Sequence, residues 1–301
     1  VELTADDNAG NVTVGISAPL TDAVTVTLEG GATVAPELSD YTDALTEFDD
    51  IDAVLLFYCP DLGYMSPPES GSSVQATMTT YAESRGDSFV IMDTPAGLTP
   101  SQAASYGTRD TSYGAMYYPH IRISNPSRQS VSGSTLLVPP GASLVGMILS
   151  ADRAVGPWET PAGTAMSIAG ASASNYLGVE RTFSTAELDL LNTAAHPVNP
   201  LRPVANQGIV VMGARTQSTT TIARYISVRR TLNLLKEELG DRCEQFLFEP
   251  ITGRTREELV VLLGVYLTEV WSQGGLAGET ADQAYYVICD DTNNTTEDVA
   301  Q

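Results

Sequence analysis

Two stretches of the N-terminal half combine continuous apolar runs with one amphipathic segment. VLLFYC at 54–59 and FVIM at 89–92 are apolar without alternation, as expected of strands covered on both faces. Between them, Val74, Met78 and Tyr81 share one face of a helix. The pattern predicts a β-α-β unit with a parallel pair of strands.

Helical periodicity is clearest in the C-terminal half. Leu259 to Trp271 carries apolar residues at helical spacing and is followed by Gly274 and Gly275, which predicts a helix and its end. Val228, Leu232, Leu235 and Leu239 predict another helix, beginning near Arg229. Ser184 with Glu187, and Thr255 with Glu258, have capping-box spacing. IVVM (209–212), FLFEP (246–250) and YYVICDD (285–291) are predicted to be strands.

The remaining segments are rich in turn residues. The first thirty residues alternate polar and β-branched positions and predict hairpin-like strands. Proline and glycine are dense from residue 93 through GPWETPAG at 156–163, which predicts turns and short strands there. The chain as a whole is predicted to mix α and β structure.

The charge balance limits the possible partners. Thirty-seven acidic residues against fifteen basic ones give a net charge of -22, which repels nucleic acid and anionic lipid. The near absence of lysine fits either a high-salt habitat or a GC-rich genome. No apolar run is long enough for a membrane span. The start at Val1 lacks the pattern of a signal peptide and leads us to expect a fragment.

Known catalytic and metal-binding patterns are missing from the sequence. Cys59, Cys243 and Cys289 lack metal-site spacing and are expected to be small buried residues, and His120 and His196 have no partner nearby. GTAMSIAG at 163–170 resembles the nucleophile motif of subtilisin-like proteases, but Ala165 replaces the serine. An acidic run before the first buried strand is interpreted as solvated surface (Asp43, Glu47, Asp49, Asp50, Asp52). We therefore predict no catalytic, cofactor-binding or metal-binding residues.

One segment concentrates positive charge. GARTQSTTTIARYISVRR at 213–230 contains Arg215, Arg224, Arg229 and Arg230. Such a cluster can bind phosphate, form ion pairs inside the protein, or bind an acidic partner. The net charge argues against nucleic acid and leaves the other two possibilities open.

A series of short motifs from Tyr117 onward resembles the contractile tail sheath proteins of phages and related injection systems. The motifs follow that family's order: YYPHIRI, VPPGASLVGMI, ADRAVGPWETPAG, LN with VNPLR, GIVVMGART, YISVRR, FEP, VWSQGGLAGET and AYYVICDDTNN. Each motif is weak alone, but nine in sequence are specific.

The resemblance implies an architecture. Residues 1–35 would form a small, truncated β element, and residues 36–180 a subtilisin-like but non-catalytic α/β middle domain. Residues 181–301 would form the conserved mixed α+β C-terminal sheath domain, truncated before its terminal arm.

The resemblance also implies a function. The chain would be a structural subunit, without enzymatic activity or cofactor, that polymerises around an inner tube and contracts to drive the tube through a cell envelope. A subtilisin-like hydrolase, or a degenerate relative of one, is the alternative. Expected partners are other copies of the chain, the inner tail tube, and baseplate and tail terminator proteins, with no nucleic acid and no membrane insertion. The expected location is the virion tail, assembled in the host cytoplasm.

Within this frame, the four arginines are the candidate interface residues. We expect Arg215, Arg224, Arg229 and Arg230 to pair with acidic groups on a neighbouring subunit, on the tube, or within the subunit. Arg229 and Arg230 are adjacent in a predicted helix and point about 100° apart, so one contact cannot use both. At least one of the four is expected to pair inside the subunit.

Overall fold

The computed structural model describes residues 2–5, 12–17, 23–28, 36–65, 68–125, 134–164, 166–169, 176–290 and 292–294, with the first three ranges described by backbone alone. The strands in these ranges are β1 (Glu2–Ala5), β2 (Val12–Ser17), β3 (Ala23–Leu28), β4 (Leu56–Phe57), β5 (Phe89–Asp93), β6 (Gly114–Tyr118), β7 (Ile121–Ser124), β8 (Thr135–Val138), β9 (Ser167–Ala169), β10 (Tyr176–Val179), β11 (Val198–Val204) and β12 (Gly208–Val211).

The helices alternate with these strands in the larger part of the chain. They are α1 (Leu38–Thr46), α2 (Pro68–Arg85), α3 (Pro100–Ser105), α4 (Gly141–Ala154), α5 (Thr185–Thr193), α6 (Ile226–Glu244), α7 (Gly253–Ser272) and α8 (Ala281–Ala284). None of the helices in the described ranges is long and apolar enough to cross a membrane.

The chain divides into two compact units, residues 1–43 and residues 44–301. In the first unit, β1, β2 and β3 form an antiparallel meander.

A six-stranded sheet lies at the centre of the second unit, in the order β4-β5-β6-β11-β12-β9. β4, β5, β6 and β11 run parallel, and β12 and β9 add antiparallel pairs at one side. Every residue of β5 and β6 is buried, which explains the apolar run without alternation. The predicted β-α-β unit is confirmed, although β4 has only two residues.

Helices cover the central strands. Phe89 and Ile91 of β5 share one core cluster with Leu144 and Ile148 of α4. Because side chains alternate along a strand, Val90 lies on the opposite face, and α2 also packs against β5. β11 sits inside the sheet, so residues on both sides of the predicted division at 180 build one sheet.

The predicted turns and short strands at 138–154 are wrong, because this segment contains α4. Pro140 lies at the N-cap, where its missing N–H costs nothing, and the helix starts at Gly141. A Cβ at Gly141 would lie 2.1 Å from the ring of Tyr58 and 2.6 Å from Asp93 Oδ2. The glycine therefore allows the start of α4 to approach the end of β5.

The predicted helix ends are partly right. Ser184 and Glu187 form the predicted capping box of α5. The second predicted box is wrong: Thr252, not Thr255, caps α7, and Glu258 pairs with Arg254 instead. α7 ends before Gly274, as predicted, and Gly274 has a positive φ of 86°.

Two predicted strands are absent from the described residues. Residues 246–250 form a turn directly after α6, and Phe248 there has a φ of 70° and an exposed ring. Residues 285–290 pair with no strand within the described ranges. Both segments are apolar enough for strands, but a strand also needs an edge to pair with, which composition does not reveal.

Candidate functional site

The arginine segment runs from the end of β12 into α6. An antiparallel bridge between Arg215 and Tyr225 closes a loop of residues 216–224, which we call the arginine loop. Thr216 N–H donates to Arg224 O at 2.8 Å, and Thr216 Oγ1 donates to Ala223 O at 2.8 Å. α6 begins directly after the bridge, three residues earlier than predicted.

Asp110 fastens the tip of the arginine loop. Its carboxylate accepts the Thr219 N–H at 2.8 Å and the Thr219 hydroxyl at 2.7 Å. These hydrogen bonds favour the ionised carboxylate and hold the pKa of Asp110 below its usual value. Hydrogen bonds thus fix the loop both where it closes, between Arg215 and Tyr225, and at its tip, at Thr219. The side chain of Ile222 in this loop is 80% exposed.

Arg215 serves the interior of the subunit. Its Nη1 donates to Asn192 O at 2.8 Å, and its backbone N–H donates to Asn199 Oδ1 at 2.8 Å. Asn199 is fully buried and donates in turn to Arg215 O and Met116 O. Arg215 therefore joins the loop to α5 and the central sheet.

Arg230 also serves the interior. Its guanidinium forms a two-pronged salt bridge with Asp152 of α4, with 2.8 Å between Nη1 and Oδ1. Arg230 is only 7% exposed, so the pair joins α6 to α4 largely away from water. At least one arginine therefore pairs inside the subunit, as the sequence led us to expect.

Arg229 stacks on an aromatic ring and has no acidic partner among the described residues. Its guanidinium carbon lies 4.4 Å from the centre of the Tyr113 ring, and Nη1 donates to the Tyr113 hydroxyl at 3.3 Å. Because Arg229 and Arg230 point in different directions, they make different contacts, as predicted from helix geometry.

Arg224 differs from the other three arginines. Its side chain is partly exposed, and its guanidinium has no hydrogen-bond or ion-pair partner among the described residues. The loop's hydrogen bonds hold its backbone, so the cation is presented at a fixed place. Of the four predicted interface residues, Arg224 is the one that the structure leaves available for an external partner.

Apolar side chains continue from Arg224 along α6. Tyr225, Val228 and Leu232 are exposed and follow helical spacing. Val228 and Leu232 also line a groove of about 340 Å³ with Trp158 and residues 274–277. We call Ile222, Arg224, Tyr225, Val228 and Leu232 the α6 stripe. The sequence pattern placed Val228 and Leu232 on a predicted helix with Leu235 and Leu239, and tertiary packing left Val228 and Leu232 exposed.

A group of carboxylates lies near the other end of α6. Oxygen atoms of Asp52, Glu237 and Asp241 all lie within 4.8 Å of one another. Burial raises the pKa of Glu237 to about 7, with a hydrogen bond to Asp52 and the neighbouring negative charges adding to the effect. Sequence reasoning treated Asp52 as solvated surface and missed this group, because 185 positions separate Asp52 from Glu237.

The buried Asp93 is the last residue of β5, and the buried His120 follows the adjacent parallel strand β6. Asp93 Oδ2 accepts the Gly141 N–H at 3.1 Å, and His120 Nε2 lies 2.8 Å from Thr94 O. Burial raises the pKa of Asp93 to about 7 and lowers the pKa of His120. Both side chains are closed off from solvent, so they bind the start of α4 and the chain after β5 rather than a substrate.

The remaining sequence candidates lie apart from these groups. Cys59, Cys243 and Cys289 are free thiols and partly exposed, not buried as expected. His196 Nδ1 lies 3.0 Å from Gln217 O, beside the arginine loop. Ala165, at the position of the missing serine, lies outside the described residues.

Comparison with known proteins gives one consistent group of relatives. The chain is 24% identical over 291 residues to the tail sheath protein of Enterobacteria phage T4, a match that covers 90% of this chain and 42% of that protein. No protein-family model matches the chain. The chain thus spans less than half the length of this curated relative.

Solved structures give the same result. A chain of the extracellular contractile injection system PVC sheath complex in its contracted state aligns with a TM-score of 0.70 and 23% identity, over 86% of this chain and 67% of that one. A chain of the contracted baseplate of the anti-feeding prophage aligns with a TM-score of 0.71 and 20% identity, over 87% and 69%. The sheath tail protein Lin1278 from Listeria innocua aligns with a TM-score of 0.56 and 12% identity, over 92% and 59%. The resemblance indicated by the sequence motifs is confirmed, and the structural matches establish the fold.

Proposed function

We propose that this chain is the body of a structural subunit of a contractile tail sheath. Copies of it polymerise around an inner tube and contract, and the contraction drives the tube through a target cell envelope. The observation that carries the proposal is the agreement of fold with a chain of a sheath complex and with a sheath tail protein over most of this chain's length, together with the sequence match to a phage tail sheath protein.

The partners follow from this role. Other copies of the chain form the helical or stacked-ring sheath, and the inner tube, baseplate and tail terminator proteins complete the assembly. The particle is a virion tail, assembled in the host cytoplasm, or a related injection device. The strong negative charge supports contacts with proteins rather than with nucleic acid.

Contraction requires subunits that move as rigid bodies. The second compact unit offers such a body, because one six-stranded sheet joins distant parts of the chain. Arg230 with Asp152 joins α6 to α4, and Arg215 joins α5 to the sheet through Asn192 and Asn199. Binding energy between rigid copies can then be converted into displacement instead of being lost in deformation.

The alternative, a subtilisin-like hydrolase, has less support. Asp93 and His120 are both buried, and the nucleophile position contains Ala165 in the sequence. We retain the subtilisin-like, non-catalytic α/β fold of residues 36–180 and the division into 1–35, 36–180 and 181–301 as predictions. The parallel strands β4, β5 and β6 are compatible with that fold.

Reconstitution tests the proposed function. The full-length protein that contains this chain is mixed with the purified inner tube protein of the same particle and imaged by electron microscopy. We expect striated cylinders around the tubes, and none when an unrelated acidic protein replaces the full-length protein. Tubes that remain bare under conditions where both proteins are folded would contradict the proposal.

A further inference from the structure

A cavity of about 220 Å³ lies beside β4, the edge strand of the central sheet. β4 and the residues before it form one wall, and the helices α4 and α6 form the others. At its rim, Leu149 of α4 is 52% exposed, whereas Asn233 of α6 is only 1% exposed. The cavity therefore extends from the surface toward buried side chains. An apolar cavity of about 150 Å³ holds benzene, so this volume accommodates a molecule of one or two rings.

Most of the cavity wall is apolar. Leu56 and Phe89 belong to the sheet, Leu234 belongs to α6, and Val54 and Pro157 complete the hydrocarbon lining. Placing a ring against such side chains is favourable because it removes apolar surface from water. Sites for small molecules commonly combine such a lining with a few polar groups that fix the orientation of the ligand.

Asn233 brings an unused hydrogen-bond acceptor to this wall. Its Nδ2 donates to Ser88 O at 2.8 Å, which fixes the plane of the side-chain amide. Its Oδ1 is buried and accepts no hydrogen bond from the described residues. Leaving a buried acceptor unpaired is unfavourable, so the cavity favours a molecule that brings a hydrogen-bond donor.

Arg230 brings unused donors to the same wall. It lies one helical turn before Asn233 on α6, so the two side chains share a face of the helix. Asp152 accepts one hydrogen bond from Nη1 and one from Nη2 of Arg230, and the other N–H groups of this guanidinium have no acceptor among the described residues. Because Asp152 already balances the cation, a charged ligand would bring an unbalanced charge into the cavity. The cavity therefore favours a neutral ligand that also carries an acceptor.

We propose that this cavity is a binding site for a small, neutral, ring-containing molecule with a hydroxyl group, of the phenol class. A hydroxyl group both donates and accepts, so it can donate to Asn233 Oδ1 and accept from the guanidinium of Arg230. The ring then contacts the apolar wall formed by Phe89 and Leu234. The site goes beyond the proposed function and is present in a single copy of the chain, whether or not copies form a sheath.

A pair of matched probes tests the ligand chemistry on the 301-residue chain. 4-Fluorophenol and 4-fluorotoluene have nearly the same shape and differ in a hydroxyl against a methyl group. Titrations followed by fluorine NMR measure the affinity of each probe. We expect 4-fluorophenol to bind about tenfold more tightly, because only its hydroxyl satisfies the polar groups of the cavity. Equal affinities, or no binding of either probe, would overturn the proposal.

A substitution at the rim tests the location. Leu149→Trp places a larger side chain at the mouth of the cavity, and since Leu149 is exposed the fold should tolerate it. We expect the affinity for 4-fluorophenol to fall at least about tenfold. The matched control is Leu190→Trp, the same change at an exposed leucine of α5, which should leave the affinity within about twofold of the wild type. Equal affinities of the two variants would place the binding elsewhere and refute the site.

Two further measurements sharpen the assignment. Asn233→Leu removes the unused acceptor and should reduce the preference for 4-fluorophenol over 4-fluorotoluene to about twofold or less. The comparison of Leu149→Trp with Leu190→Trp keeps Asn233 intact, so it decides the location even if Asn233→Leu does not fold. N-acetyltyrosinamide presents the same phenol on a peptide backbone. If it bound more tightly than 4-fluorophenol, the occupant would be a tyrosine of another protein, and the small-molecule proposal would be wrong.

Discussion

Two arginines of the same segment, the buried Arg230 on its inner side and the partly exposed Arg224 on its outer side, have different surroundings. Arg230 is 7% exposed and donates to Asp152 through both terminal guanidinium nitrogens. Arg224 lies on a loop held by hydrogen bonds, and its guanidinium has no hydrogen-bond or ion-pair partner among the described residues. Removing a buried partner leaves a charge stranded, while removing an exposed charge changes what the surface attracts. Burial therefore decides whether an arginine of this segment stabilises the fold or is available for assembly.

The largest expected effect follows from breaking the buried pair. Arg230→Met leaves Asp152 without its cation between α4 and α6, and we expect unfolding to become easier by about 3 kcal/mol. Urea denaturation followed by circular dichroism measures the change. The double variant Arg230→Met with Asp152→Leu should recover most of the loss, since an apolar pair strands no charge. A loss below about 1 kcal/mol in the single variant would show that the pair is not a structural tie.

An intermediate effect is expected at Arg229. Arg229→Gln removes the cation above the Tyr113 ring and should cost about 1 kcal/mol in the free energy of unfolding. Arg229→Lys, which keeps the charge but not the flat stacked group, should cost less. A double-mutant cycle with Tyr113→Leu isolates the pair, and additive losses would mean that the stacking contributes nothing.

The smallest effect on stability is expected at the outer side. Arg224→Glu should change the free energy of unfolding by less than about 0.5 kcal/mol, because no described residue depends on its guanidinium. Thermal and urea denaturation of the wild type and of the variant provide the measurement. If the variant were clearly destabilised, Arg224 would belong with Arg230, and the distinction between the two sides would fail.

Several elements were predictable because their signals are local. The unbroken apolar run of β5, the spacing of α7 and the cap formed by Ser184 all depend on residues close together in the chain. The order of short motifs also indicated the group of relatives to which the chain is similar. None of these signals depended on knowing the rest of the fold.

Other features depended on distant residues and could not be predicted. α4 was missed because the local density of proline and glycine indicated turns, whereas the contact of Gly141 with Tyr58 and Asp93 is made across the fold. The strands predicted at 246–250 and 285–291 have suitable side chains but no strand to pair with in the described residues.

The sequence by itself determined that the protein mixes α and β structure, that it is acidic, and that four arginines lie together. Only the tertiary structure decided what each arginine does, because Asp152, Tyr113 and Asn192 reach them from elsewhere in the chain. The helical spacing of Val228 and Leu232 predicted that they lie on a helix, but only the tertiary packing determined that both side chains are exposed. The physical reason is that propensity and charge are properties of neighbouring residues, whereas burial and pairing depend on the whole folded chain.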